Sequence, residues 1–349
     1  MPMLSAFVTS DLTPGQLERL EQRCLMRRGG WGVTGVRLTP EQLIDEAAGA
    51  EILLVGYERV PAQVIEALPN LKLIGCTRST PVNIDLQAAS ARRIPVLHTP
   101  GRNTQTAAEF ALGLMLALAH RIAQGHHALR SGRYLGPPAQ EFASADSSSD
   151  VIWQLDGKSP FKDLQGVELS GRTLGVIGLG RIGSRVAQLA RAFGMPVLAF
   201  SPYTPASQAG ALGVSLVSLD RLLEQSDFIS IHARVTSETW GLLGRRELSL
   251  MKPTAFLISL SRAAIIDQAA LIEALQERRI AGAALDVYWY EPLPENHPLL
   301  TLDNVILTPH LAGATQDVQE RHSQMIVEDV LAWLDGRRPA HLANPEVWE

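Results

Sequence analysis

The chain has 349 residues, 46% of them hydrophobic, enough for a large buried core and for two domains. Its formal charge of −5, with no Lys/Arg cluster that forms a stripe and with Arg27–Arg28, Arg92–Arg93 and Arg337–Arg338 standing as isolated pairs, argues against nucleic-acid binding. Cys24 and Cys76 are too far apart for a disulfide framework or a metal set, and Met1–Thr9 lacks a secretory leader, so a reduced cytoplasmic protein without a metal is expected.

Strands and helices alternate from the start. Leu4–Val8 reads as a strand, and Thr13-Pro14 opens a helix through Leu17 and Leu20, with proline at its first turn. Thr39-Pro40-Glu41 repeats that signal. Ile52–Val55, Leu71–Cys76 and Ile94–Leu97 read as buried strands, separated by helices over 61–68 and 84–91. This spacing predicts a parallel sheet covered on both faces. A long apolar helix follows from Thr104 to Ile122. Its apolar part is too short to cross a bilayer, so it is expected to be buried. The stretch from Gly132 to Gly171 is an unusually long connection, and its Trp153 and Phe161 suggest that it docks on the protein.

Gly171–Ser201 is the most informative segment. An apolar run, Leu174–Ile177, leads into Gly178, Gly180 and Gly183, then an amphipathic helix and a second run, Val197–Phe200. Strand, tight turn, helix and strand within ~30 residues is the context a dinucleotide fingerprint requires. Gly178 makes the turn, Gly180 admits the pyrophosphate and Gly183 lets the helix pack close, while the free N–H groups at Arg181 and Ile182 face the phosphates. Where an NAD site normally carries Asp or Glu, the second strand ends at Ser201. A serine neither repels a 2′-phosphate nor captures ribose as a carboxylate does. Cofactor preference between NAD and NADP therefore stays open.

Alternation then resumes, with strands at 228–232, 255–259, 283–285 and 305–307 completing a six-strand Rossmann domain, and a last helix over 314–334. Polar residues stand at the ends of these strands: Arg262, Asp286, Glu291 and His310. In open α/β sheets ligands bind at that edge. Reducing a 2-keto acid needs a cation to fix the carboxylate and polarise the carbonyl, a proton donor, and a charge to keep that donor protonated. Arg262, His310 and Glu291 suit these roles in turn, since a guanidinium fork matches a carboxylate and a neighbouring carboxylate raises a histidine pKa.

With their neighbours, these residues resemble the D-isomer-specific 2-hydroxyacid dehydrogenases. The Arg segment stands as Ile258-Ser259-Leu260-Ser261-Arg262-Ala263, the Asp segment as Ala284-Leu285-Asp286-Val287 with Glu291-Pro292, and the His segment as Thr308-Pro309-His310-Leu311-Ala312-Gly313. The resemblance implies that Arg262 orients substrate, that Glu291 and His310 do acid–base work, and that Asp286 touches the nicotinamide amide. It further implies cofactor contacts from Thr106, Arg181, Ile182, Ser201, His232, Arg234, Leu260, Ser261 and Gly313. Arg234 stands where the family's His-x-Pro motif has proline, near the expected adenine pocket. The family's substrate loop aligns with Arg78-Ser79-Thr80-Pro81-Val82-Asn83, where Thr80 replaces a glycine and Pro81 lacks an N–H.

The architecture implied is two doubly wound parallel-sheet domains. A Rossmann NAD(P)-binding domain, 102–313, is inserted into a flavodoxin-like substrate domain, 1–101 and 314–349, with the active site in the cleft and a homodimer through the long helix. The expected activity is hydride transfer between NAD(P) and a small D-2-hydroxy acid or its keto acid. A nucleotide-sensing corepressor-like protein and a relative acting on formate or phosphite are the alternatives.

Overall fold

A computed structural model describes residues 3–135 and 159–348. The chain forms two compact units, Met1–Asn103 with Gly313–Glu349, and Thr104–Ala312. Residues 136–158 of the long connection, including Trp153, lie outside the described residues.

In the first unit β1 (Leu4–Val8), β2 (Cys24–Arg28), β3 (Ile52–Val55), β4 (Leu73–Cys76) and β5 (Val96–Leu97) form one sheet in the order β2-β1-β3-β4-β5. All of its pairs are parallel, and the order is the flavodoxin-like one. Its central strands are covered on both faces, which is why they read as unbroken apolar runs. Helix Gln316–Leu334 puts Ile326, Val327 and Val330 into the same core as Leu54 and Leu73. Gly75 makes room for it: a Cβ there would stand 2.5 Å from Leu54 and 3.2 Å from Ile326. Strand β2 was not expected. It is an edge strand with Leu25, Arg27 and Arg28 exposed, so neither alternation nor an apolar run marks it.

The second unit carries β6 (Leu174–Ile177), β7 (Val197–Phe200), β8 (Ser215–Leu216), β9 (Phe228–Ile231), β10 (Phe256–Ser259), β11 (Gly282–Leu285) and β12 (Val305–Leu307). They form a parallel sheet in the order β12-β11-β10-β9-β6-β7-β8. This corrects the expected six strands to seven. The addition, β8, has two residues, both exposed, too short to leave a pattern. The chain runs outward from β6 to β8 and then returns to β9 on the other side, so β6 and β9 flank the switch point where such sheets bind ligands.

The long apolar helix, expected to reach Ile122, ends at Ala119, and a second helix that was not expected, Ile122–Arg130, follows it at a bend of 63°. Arg121 takes a left-handed φ of 51° at the break. Residues 165–167 cause the stop: Val167 N–H donates to Ala119 O at 2.8 Å, and Arg121 Nε to Gln165 O at 3.1 Å. Ala107, Ala108, Ala111 and Leu112 are buried in the unit's own core against Val186, Ala187 and Ala190. Phe161, expected to dock, is 72% exposed. No single helix among the described residues is long and apolar enough to cross a membrane.

Candidate active site

The glycine turn sits at the switch point, and each glycine there has a steric reason. Gly178 has φ +94°, and a Cβ on it would lie 2.8 Å from the Ala233 nitrogen beyond β9. A Cβ on Gly183 would collide with Gly178 O at 2.0 Å, so the helix could not start this close to the strand. Gly180 differs: nothing lies within 4 Å of its Cβ position. It caps helix Arg181–Ala192, which has no side-chain cap and no acidic residue in its first turn. The N–H groups from Arg181 onward thus face open space with the helix dipole behind them, a ready anion site. Ser201 is turned inward. Its hydroxyl accepts from Leu179 N at 3.1 Å and pairs with Thr204 Oγ1 at 2.8 Å, pinning the turn from the end of β7.

His232 and Arg234 follow β9. Arg234 is exposed. His232 Nε2 bonds Ser230 Oγ at 2.8 Å, and burial pushes the imidazole down to about 4. The neutral ring belongs to the fold. Its contribution is complete above the unfolded value near 6.5 and is lost as pH falls from there towards 4. The melting temperature of the wild type should therefore drop over that window, and His232→Gln should remove the His232 share of the drop. We expect that share to be about 2 kcal/mol, below the full shift because His232 as a whole is only half-buried. Identical pH profiles for the two proteins would refute it.

Adjacent strands β10, β11 and β12 present Arg262, Glu291 and His310 at the same edge. Arg262 precedes a short 3-10 turn, Ala263–Ile265, is exposed, and donates to Ser261 O at 2.6 Å. His310 Nδ1 bonds Glu291 Oε2 at 2.8 Å. Glu291 Oε1 accepts Tyr288 N–H at 3.0 Å, so the carboxylate is held at both oxygens. Burial alone would raise its pKa. The hydrogen bonds from His310 and Tyr288, with the His310 and Arg262 charges, outweigh that and leave it below the usual carboxylate range. Glu291 is thus a fixed anion beside the imidazole.

The loop carrying His310 is tied down by a side chain that the sequence suggested for another contact. Asp286 is fully buried. Its Oδ1 accepts Thr308 Oγ1 at 2.6 Å and Leu311 N at 2.7 Å, and its Oδ2 accepts Ala312 N at 2.8 Å. A carboxylate has about four acceptor sites, and these bonds fill three of them. The three bonds hold the loop while His310 itself adopts φ +58°, a left-handed backbone that costs a non-glycine residue about 1 kcal/mol. Tyr288 adds a further tie, its hydroxyl lying between the Leu285 and Thr308 carbonyls at 3.1 and 3.0 Å. Burial, then the charges of Asp286 and Glu291, push that phenol up to about 12. Leu260 and Ser261 lie on the β10 side of this edge, with the Ser261 hydroxyl buried and unpartnered. Thr106 is buried on helix Thr104–Ala119. Gly313 falls in the first unit.

In the first unit the loop after β4 leaves the Ser79 and Thr80 N–H groups without acceptors among the described residues, the chemistry a carboxylate needs. Asn83 anchors the loop, donating to Glu58 O at 2.7 Å and accepting from Cys76 Sγ at 3.4 Å. Glu58, fully buried, gathers Thr9 Oγ1 at 2.6 Å, Trp31 N at 2.9 Å and Tyr57 N at 3.2 Å. It thereby sets an edge-on Trp31–Tyr57 pair, 4.8 Å between ring centres, at the ends of β2 and β3. Neither aromatic was singled out from sequence, where no motif marks them. Among the described residues no group of His, Cys, Asp and Glu side chains is placed to hold a metal.

Comparison with known proteins gives a consistent result. Residues 112–312 match the family model described as D-isomer specific 2-hydroxyacid dehydrogenase, NAD binding domain. The chain is 39% identical over 288 residues, 82% of its length and 80% of the relative's, to a glyoxylate reductase of Korarchaeum cryptofilum. A crystal structure of a protein from Thermus thermophilus superposes with a TM-score of 0.81 at 34% identity, covering 97% of this chain and 100% of that one. An NADPH-dependent glyoxylate/hydroxypyruvate reductase from Sinorhizobium meliloti, in complex with NADP and malonate, superposes with a TM-score of 0.76 at 28% identity, covering 98% and 97%.

Proposed function

The chain belongs to the D-isomer-specific 2-hydroxyacid dehydrogenases, and we propose that it reduces a small 2-keto acid using Arg262, Glu291 and His310. Its reaction is NAD(P)-linked hydride transfer between a hydroxy acid and a keto acid. The glycine turn fits the nucleotide, since Gly180 leaves open space before an uncapped helix. When bound, the nicotinamide gives or takes the hydride.

The observation that carries the proposal is the 2.8 Å His310–Glu291 pair with Arg262 acting on the same carboxylate. The Arg262 fork holds the keto-acid carboxylate and polarises the carbonyl. His310 Nδ1 is engaged by Glu291, which leaves Nε2 to pass a proton to the developing alkoxide. Glu291 offsets the charge of the protonated ring, and Asp286 keeps the loop in place. In the reverse direction the same imidazole takes the proton back.

Incubating the protein with a panel of 2-keto acids and either NADH or NADPH, and following absorbance, tests the reading. Turnover of at least one keto acid is expected. Tight nucleotide binding with no turnover on any of them would favour a sensor instead.

For the nucleotide, we propose use of both NADH and NADPH. No carboxylate ends β7 to reject a 2′-phosphate, and Arg234 is exposed beyond β9. A charge-assisted hydrogen bond contributes roughly 1.5–3 kcal/mol. Arg234→Ala should accordingly raise KM for NADPH about tenfold or more while changing KM for NADH little, and equal effects on both would overturn it. We propose a homodimer as the working form, because Ile122, Leu129 and Phe161 are 56%, 47% and 72% exposed, apolar surface that association would cover.

A further inference from the structure

Adjacent strands β3, β4 and β5 of the first unit are followed by Tyr57, Arg78 and Arg102. The Arg78 guanidinium stands 5.6 Å from the Tyr57 ring centre, and the half-buried Arg102 interacts with the hydroxyl of the same tyrosine. Arg102 is oriented from behind. Its Nη1 bonds His322 Nδ1 at 2.8 Å, and His322 Nε2 bonds the Asp11 carbonyl at 2.8 Å. A carbonyl only accepts and a guanidinium only donates, so His322 donates from Nε2 and accepts at Nδ1. That is the neutral tautomer, and the ring supplies no counter-charge.

No carboxylate pairs with Arg78 or Arg102 among the described residues. Asp11 and Glu320 act on His322, whereas the charges acting most on Arg102 are Tyr57, Arg78 and Cys76. Two guanidinium groups close enough to repel, both of them half-buried, are costly without an anion. The turn joining them also has an unmet need. Thr99 N donates to Arg78 O at 3.0 Å and Thr99 O accepts from Arg102 N at 3.4 Å, yet the fully buried Thr99 hydroxyl has no partner.

We propose that Arg102 and Arg78, with the Tyr57 hydroxyl, bind a small anionic group, a carboxylate or a phosphate, and that His322 is the positioning residue that aims Arg102. Resting on the dehydrogenase reading above, this makes a 2-keto acid with a second acid group the preferred substrate class. The Ser79 and Thr80 N–H groups remain for a separate carboxylate.

The test pairs binding with kinetics. Calorimetric titration of the full chain with malonate and with inorganic phosphate tells a carboxylate site from a phosphate site. Binding of at least one is expected, weakened tenfold or more in Arg102→Gln and, independently, in Arg78→Gln, the second variant guarding against a folding defect in the first. His322→Phe, which cannot aim Arg102, should weaken it too. In kinetics, oxaloacetate against 2-oxobutyrate, and phosphohydroxypyruvate against hydroxypyruvate, compare acids with and without the second charge. At least one charged acid should have a tenfold higher kcat/KM, with that ratio at least tenfold smaller in Arg102→Gln. Binding of neither anion, binding unchanged in both arginine variants, or an adventitious ion only, shown by affinity that is equal for chloride, overturns the proposal. Anion binding with no turnover of any keto acid would uphold this site while refuting the dehydrogenase reading.

Discussion

His310→Asn is expected to lower kcat for keto-acid reduction at least a hundredfold while leaving the Kd for NAD(P)H within about threefold of wild type. The magnitude follows from general acid–base catalysis, whose loss typically costs 10²–10⁴ in rate. Asparagine is the informative replacement because His310 sits at φ +58°, and Asn is among the few residues that accept this backbone readily. The variant therefore removes the imidazole without straining the loop. Glu291 loses its partner but keeps Tyr288 N–H, so the neighbouring turn should persist. Single-turnover reduction with saturating nucleotide measures the effect. Wild-type turnover in the variant would end the assignment of His310 as the proton donor.

Asp286→Asn should have the next largest effect. An amide nitrogen at either carboxylate position would meet a donor: Leu311 N–H on one oxygen, Ala312 N–H on the other. One buried hydrogen bond to a charged group is then replaced by a clash, worth roughly 1.5–3 kcal/mol. The loop with His310 can relieve it only by moving. We expect kcat to fall tenfold or more with a lowered melting temperature. Thr308→Val isolates the positional component, since it removes one bond to Asp286 and leaves both backbone donors. It should lower kcat with little change in KM for nucleotide, and Thr308→Ser should restore it. Full activity in Thr308→Val would mean that the tie is structural only.

Much of this organisation is legible in the sequence because its causes are local. The glycines are required by contacts within a few residues, such as Gly183 against Gly178 O. Buried parallel strands announce themselves as apolar runs, and a parallel sheet puts every carboxyl end on one edge, which brought Arg262, Glu291 and His310 together. Edge strands escape, because β2 and β8 keep polar or exposed residues. The bend at Arg121 was hidden because its cause is a carbonyl contact from Val167. Ties such as Thr308 to Asp286, 22 residues apart, and Arg102 to His322, 220 apart, are fixed by packing of distant elements and leave no local signature. The sequence suggested Asp286 for nicotinamide and left its three loop bonds unseen for the same reason.

Cys76, under the Asn83 anchor, carries a consequence for handling the protein. Burial pushes its thiol up to about 11, and burial raises Cys24 as well. Near neutral pH only about one Cys76 side chain in ten thousand is a thiolate, the form that electrophiles and peroxides attack. The two thiols of the native protein should therefore tolerate air, alkylating reagents and the absence of added reductant, and become vulnerable only as the chain unfolds.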